Sequence, residues 1–211
     1  MTVTAKICGL STADTLDAAL RHGASHVGFV FFPPSPRHLS PAAAAGLSAR
    51  VSGATIVGVF VDPDEASVRD AVAAAGLGAI QLHRTAPDKV ARLRQVAGVE
   101  AWAAVAVRTR GDLESAVAYR GAADRLLYDA KTPDGAALPG GMGLRFDWAL
   151  LDGFDHPLPW ALSGGLDAGN VAAAARRTGA SLVDVSSGVE NAPGVKDAGK
   201  IAAFLKAVEK A

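Results

Sequence analysis

The sequence predicts a single (β/α)8 barrel, and three observations predict it. Eight short apolar runs of buried-strand type alternate with helical stretches at about 26 residues per unit, which implies a parallel sheet carrying its helices outside. No linker-like segment interrupts the series, so residues 1–211 read as one domain. Near the C-terminal end, two short apolar runs in succession, within Trp160–Asp167 and Leu182–Glu190, each lead to a glycine beside a small polar residue. This is the arrangement expected after strands 7 and 8 of a barrel. An open doubly wound sheet is the alternative reading of the same alternation.

Each element has a local reason. Val3–Cys8 is a short apolar strand, and Ser11 or Thr12 caps a helix that runs to about His22 and stops at Gly23. His26–Phe32 is a continuous strand running into Pro33-Pro34-Ser35-Pro36-Arg37, where the prolines exclude regular structure and stiffen the loop. Ser40-Pro41 opens an Ala-rich helix, with proline in the first turn where its missing N–H costs nothing. Thr55–Val61, Ala79–His83, Ala101–Val107 and Arg125–Asp129 are the third to sixth strands. Helices over Glu65–Ala75, Pro87–Val96 and around Leu113–Tyr119 separate them. A Gly-rich irregular segment follows from Ala130 to about Arg145, then a short sixth helix over Phe146–Leu151. Strand 7 is expected to turn from Gly164-Gly165 directly into a helix. The last helix starts near Ala198 and puts Ile201, Phe204, Leu205 and Val208 on one face.

Composition narrows the partners. Twenty-one basic residues balance 21 acidic ones, which argues against nucleic acid and anionic membranes. No apolar run is long enough to span a bilayer, and the N-terminus lacks the basic and apolar regions of a signal peptide. The one cysteine, Cys8, allows no intrachain disulfide and fits a reducing cytosol, so a cytoplasmic location is expected.

In such a barrel the chemistry sits where the strands end. Cys8 and Asp129, at the ends of strands 1 and 6, could face each other as general base and general acid. Equally, Cys8 could be a small buried hydrophobe and Asp129 a cap. Arg37, on its proline-braced loop, suits bidentate capture of a carboxylate, or is a solvated surface arginine. Gln81 and His83 end strand 4, and His83 is either a working group or a hydrogen-bonded residue of the rim. Asp62 and Asp64 read as turn residues around Pro63. Gly164, Gly165, Ser187 and Gly188 fit the phosphate recipe, in which glycine admits close approach, backbone N–H groups face the anion and a helix N-terminus adds positive potential, or the glycines merely serve tight turns. Nothing has metal-ligand spacing, no Gly-x-Gly-x-x-Gly follows the first strand, and Gly140-Gly141-Met142-Gly143 lacks the Lys-Ser/Thr of a triphosphate loop. No metal, dinucleotide or nucleotide-triphosphate site is therefore expected.

Several stretches taken together carry a resemblance. They are Lys6-Ile7-Cys8-Gly9-Leu10, Gly28-Phe29-Val30-Phe31 with Ser35-Pro36-Arg37, Val57–Val61, and Gln81-Leu82-His83. Further on come the Gly-rich loop ending in Phe146-Asp147-Trp148, then Ser163-Gly164-Gly165-Leu166, Asn170-Val171, Asp184–Glu190 and Pro193–Asp197. Over nearly its whole length the chain resembles the phosphoribosylanthranilate isomerase family of tryptophan biosynthesis. It departs from the family pattern at Arg84, where glycine is usual, and at Met142, where a small polar residue is usual. The resemblance implies a cofactor-free Amadori rearrangement of a small phosphosugar substrate by a monomer or homodimer. It implies Asp129 as general acid, Cys8 as general base, Arg37 on the anthranilate carboxylate and Asp184 on a ribose hydroxyl. Gln81 and His83 would contact substrate, and amides around Gly165 and Ser187-Gly188 would hold the phosphate. The alternatives are a related phosphosugar barrel enzyme, such as the sister isomerase of histidine biosynthesis or an indole-glycerol-phosphate synthase, and a non-catalytic phosphosugar-binding protein. The first two would need a second phosphate site or a strand-end lysine. The third would have no reason to pair Cys8 with Asp129.

Overall fold

Eight parallel strands close on themselves in chain order in the computed structural model, which describes residues 2–133, 135, 138 and 140–211. They are β1 (Thr4–Cys8), β2 (His26–Val30), β3 (Thr55–Val61), β4 (Ala79–His83), β5 (Glu100–Val107), β6 (Arg125–Ala130), β7 (Trp160–Leu162) and β8 (Leu182–Val185). The seam is the β1–β8 pair, where Lys6 lies opposite Asp184. On the other side of β1, Lys6 pairs with His26 and Cys8 with Gly28. Because side chains alternate along a strand, every second residue enters the barrel. Ala5 and Ile7 join the outer core under the helices, whereas Cys8 joins Val30 and Val59 inside.

The interior is split by polarity. At the amino ends of the strands Val57, Ala79, Trp102, Leu127, Ala161 and Leu182 make a closed apolar layer. Trp102 is fully buried there, with its Nε1 donating to Glu100 Oε2 at 2.8 Å and the Arg125 guanidinium 5.2 Å from its ring centre. Above that layer the inward positions turn polar: Lys6, Gln81, His83, Asp129, Ser163 and Asp184 are all buried.

The helices are α1 (Ala13–Arg21), α2 (Pro41–Ser48), α3 (Glu65–Ala75), α4 (Pro87–Ala97), α5 (Arg110–Glu114), α6 (Val171–Thr178) and α7 (Ala198–Val208). Their starts follow the sequence logic. Thr12 caps α1, Ser40 caps α2 with Pro41 in its first turn, and Asp64 caps α3 by accepting from Ser67 N at 2.7 Å. Asp62 is drawn outward to Lys89, 2.6 Å away.

Four expectations are corrected. β2 ends at Val30, although Phe31 N still donates to Val59 O, because the prolines that follow cannot extend a ladder. The fifth helix tightens to a 3-10 turn at Ser115–Tyr119, and between β6 and β7 only a 3-10 turn forms, at Trp148–Leu151. The Gly164-Gly165 turn does not run straight into a helix. α6 begins at Val171, and the intervening loop is tied by Asn170 Nδ2 to Gly165 O at 3.0 Å. A small antiparallel hairpin, β9 (Glu190–Ala192) with β10 (Val195–Lys196), follows β8 and has no counterpart in the sequence reading. Replacing Trp102 by Ala should empty most of the apolar layer and lower the unfolding free energy by about 3–5 kcal/mol, measurable as a shifted urea midpoint.

Candidate active site

One pocket opens at the carboxyl ends of the strands and is lined by Cys8, Arg37, Gln81, His83, Asp129 and Asp184, with Gly164, Gly165 and Ser187 along another wall. The residues that the sequence scattered over strands 1, 2, 4, 6, 7 and 8 are thus brought together, except Gly188. Gly188 stands behind the pocket wall, where a side chain would strike the carbonyl of Leu166.

Asp129 is buried, and its Oδ1 accepts from Ala130 N at 2.9 Å. Burial, with Asp184 nearby, lifts its carboxyl to about 7, so about half of the molecules still hold its proton at neutral pH. Gly140 lies directly over it, since a Cβ there would meet Asp129 Oδ2. Cys8 is also buried, and burial pushes its thiol above the ordinary value against the pull of Lys6 and Lys196.

On β4, burial holds His83 down to about 4, so its ring is neutral. Gln81 Nε2 lies 2.8 Å from His83 Nε2. An amide NH2 only donates, so that ring nitrogen accepts and the ring proton sits on Nδ1. Gln81 Oε1 is buried and has no partner among the described residues, which leaves an acceptor for a ligand.

Arg37 is only 5 % exposed, so it is no solvated surface residue. Its bidentate edge is already engaged: Nε and Nη2 each donate to Glu190 at 2.7 Å, and Nη2 also reaches Gly141 O at 3.1 Å. Among the described residues Nη1 has no partner and remains for an incoming anion. Glu190 is shared with Lys196 Nζ at 2.6 Å, and Lys196 in turn donates to Ser186 O at 2.9 Å. Burial would raise the Glu190 carboxyl, but the Arg37 and Lys196 hydrogen bonds outweigh it and hold it low. Hairpin β9–β10 therefore braces the Arg37 loop, and it packs so close that a Cβ on Gly194 would stand 2.6 Å from Pro36 O. Glu190 escaped the sequence reading because its partner Arg37 lies 153 residues away, and Lys196 because it is held as the second cation on that same carboxylate. Lys6 escaped too, although a lysine two residues before Cys8 on an apolar strand shares its inward face.

The phosphate wall has the right backbone form. Gly164 and Gly165 have φ of +91° and +61°, and among the described residues their amides and that of Ser187 donate to no backbone carbonyl. Ser187 opens a short 3-10 turn, Ser187–Val189, so its N–H and that of Gly188 are unspent by the turn itself. Arg84, at a position where glycine is usual in the resembling family, has φ of +52°, the left-handed region that glycine adopts freely. Met142 is half-exposed at the pocket rim. Asp134, Ala136, Ala137 and Pro139 of the same Gly-rich loop lie outside the described residues.

Titratable groups buried at the strand ends, with perturbed proton affinities, mark a (β/α)8-barrel enzyme. Known proteins narrow that class. The family model described as N-(5'phosphoribosyl)anthranilate (PRA) isomerase matches residues 5–207. The N-(5'-phosphoribosyl)anthranilate isomerase of Zymomonas mobilis subsp. pomaceae is 54% identical over 211 residues, 99% of each chain. That of Rhodospirillum centenum is 52% identical over 208 residues, 97% of each chain. The crystal structure of phosphoribosyl anthranilate isomerase from Thermotoga maritima superposes with a TM-score of 0.88 at 35% identity, covering 99% of this chain and 100% of that one. Another solved isomerase, in complex with reduced 1-(o-carboxyphenylamino)-1-deoxyribulose 5-phosphate, gives a TM-score of 0.86 at 31% identity, covering 99% and 100%. The chain belongs to the phosphoribosylanthranilate isomerase family, and it is an isomerase.

The state of Asp129 sets a stability prediction. In the unfolded chain its carboxyl ionises near 3.8, but in the folded chain only near 7. The folded state therefore loses stability as pH rises from about 4 to about 7, by on the order of 3–4 kcal/mol. Asp129→Asn, which stays neutral, should be close to wild type in stability at pH 4 and clearly more stable at pH 8, as read by thermal unfolding at both.

Proposed function

We propose that this enzyme catalyses the Amadori rearrangement of N-(5-phosphoribosyl)anthranilate to 1-(2-carboxyphenylamino)-1-deoxyribulose 5-phosphate, a step of tryptophan biosynthesis in the cytoplasm. The observation that carries the reading is the convergence of a protonated Asp129 and Cys8 on one pocket. Its support from relatives is the solved isomerase that holds a reduced form of that product.

In this reading Asp129 protonates the furanose ring oxygen, the C1–O bond breaks, and the anilino nitrogen's lone pair makes the Schiff base. Cys8 then takes the proton from C2, and the C–H electron pair moves through C1 to the positive nitrogen, giving an enolamine that tautomerises to the ketone. Only protons and electron pairs within the substrate move, so the chemistry asks for no electron carrier and no metal. An acid that gives at oxygen and a base that takes at carbon are both needed, because one group cannot serve both atoms at once.

The remaining lining holds the substrate still. Arg37 Nη1 meets the anthranilate carboxylate, with Glu190 fixing the guanidinium plane behind it. The amides of Gly164, Gly165, Ser187 and Gly188 take the phosphate, which anchors the substrate without reacting. Asp184 and Gln81 accept from sugar hydroxyls, and His83 donates from Nδ1. The working assembly is a monomer or a homodimer; one solved relative, from Thermotoga maritima, is described as dimeric.

Purified protein should remove the fluorescence of phosphoribosylanthranilate. Cys8→Ala and Asp129→Asn should each lower kcat by about 10²–10⁴ while the far-ultraviolet circular dichroism stays native. Full turnover by both variants would remove the mechanism, and no turnover by the wild type would remove the substrate.

A further inference from the structure

The most deeply buried charge in the barrel is one the mechanism above leaves unused. Lys6 is 0 % exposed, at the centre of the polar layer. Its Nζ donates to Asp184 Oδ1 at 2.8 Å, and Ser163 Oγ donates to the other oxygen, Asp184 Oδ2, at 3.1 Å. The chain is shaped to bring this ammonium beside the thiol. Lys6 and Cys8 are two apart on β1 and so point the same way. Opposite them on β2 stands Gly28, where a Cβ would lie 3.2 Å from Lys6 Cε and 3.1 Å from Cys8 Sγ. Any side chain at Gly28 would push into the space that the two groups share.

We propose that Lys6 is a positioning residue for the acid–base pair: held by Asp184, its ammonium is the fixed counter-ion of the Cys8 thiolate, and it sends ionisation to the sulfur while leaving the proton on Asp129. This rests on the reading of Cys8 as base and Asp129 as acid.

The productive microstate is thiolate with carboxylic acid, and it is the minor one. Asp129 loses its proton near 7, while the thiol holds its own beyond the ordinary thiol value. Most molecules above neutrality therefore carry thiol with carboxylate. Over the plateau between the two titrations, the productive fraction falls tenfold for every tenfold separation of the two acidities. The groups facing Cys8 are Lys6 on β1, Asp184 on β8 and Lys196 on β10; burial opposes the thiolate most, and Lys6 is the largest charge in its favour. For Asp129 burial again leads, Asp184 raises it, and Lys6 contributes least. The two histidines that feel Lys6, His26 and His83, are both held near 4 by burial and stay neutral over the range concerned. Lys6 thus acts differentially: it shares the niche over Gly28 with the sulfur, where it is the leading charge, and is a minor influence on Asp129, so it narrows the gap between base and acid.

The test uses Lys6→Met and the fact that the chain has one cysteine, so its ultraviolet thiolate absorbance, taken as the difference from the matching Cys8→Ala protein to cancel the two tyrosines, reports Cys8. In the full-length variant the thiolate titration should move upward by about one pH unit or more. The plateau of kcat/KM should fall about tenfold per unit moved, its alkaline limb should follow the thiol, and KM should stay within about twofold. A merely structural role would change the amount of folded protein without moving the titration of the folded fraction. Should Lys6→Met leave Asp184 uncompensated and fail to fold, Lys6→Met/Asp184→Asn removes both charges, and its thiolate titration should still move upward. An unmoved titration in the folded variant overturns the proposal. Cys8→Ala separates the two readings: if it retains turnover, Cys8 is not the base, whatever Lys6 does to the thiol.

Discussion

The ion pair between Lys6 and Asp184 is the constraint on which the rest of the site is built. The two residues are register partners across β1 and β8, the seam where the barrel closes. A charge taken wholly out of water costs far more than folding can spare unless it meets its opposite at hydrogen-bond range. Closure of the sheet and neutralisation of the lysine are therefore one event. With Asp184 held by Lys6 and Ser163, its negative field falls on Asp129 and helps keep that carboxyl protonated. The lysine lies beside Cys8, so Asp129 and Cys8 are conditioned by the two ends of a single pair.

How much of this could be read from residues alone depends on the range over which each cause acts. Strands with a one-face-in, one-face-out pattern and helices with an adjacent cap are local, and β3, β4, α3 and α7 fall where the sequence puts them. The features that escaped are non-local. Phe146–Leu151 has the length of a helix turn but forms only a 3-10 turn at Trp148–Leu151. Glu190 and Lys196 look like two exposed charges around a Pro-Gly turn, yet both are buried, because Glu190 meets an arginine delivered by the other end of the chain and Lys196 meets Glu190. Cys8, Asp129, Gln81, His83 and Asp184 were legible as strand ends. Their partners were not, because a strand reveals which way a residue points but not what stands across the barrel.

The loop after β2 and the hairpin after β8 show how an irregular segment is made rigid without secondary structure. Prolines remove most of the freedom of residues 33–36, Gly194 lets the hairpin close on Pro36, and the Arg37–Glu190–Lys196 cluster locks the two together. Each member is hydrogen-bonded more than once, which is what makes a buried ionic cluster tolerable. The guanidinium is thereby oriented before any ligand arrives, and little side-chain freedom is left to lose on binding.

That cluster has a consequence for how molecules find the site. It contains two cations and one anion, Lys6 is balanced by Asp184, and Asp129 is uncharged below about 7. Among the described residues, a chain with no net charge thus carries a surplus positive charge beside its pocket. Low-dielectric walls focus such a field outward, so negatively charged solutes would be drawn in faster than diffusion alone allows, and cations turned away. Adding salt would weaken that attraction at long range while leaving the buried contacts of an occupied site almost untouched.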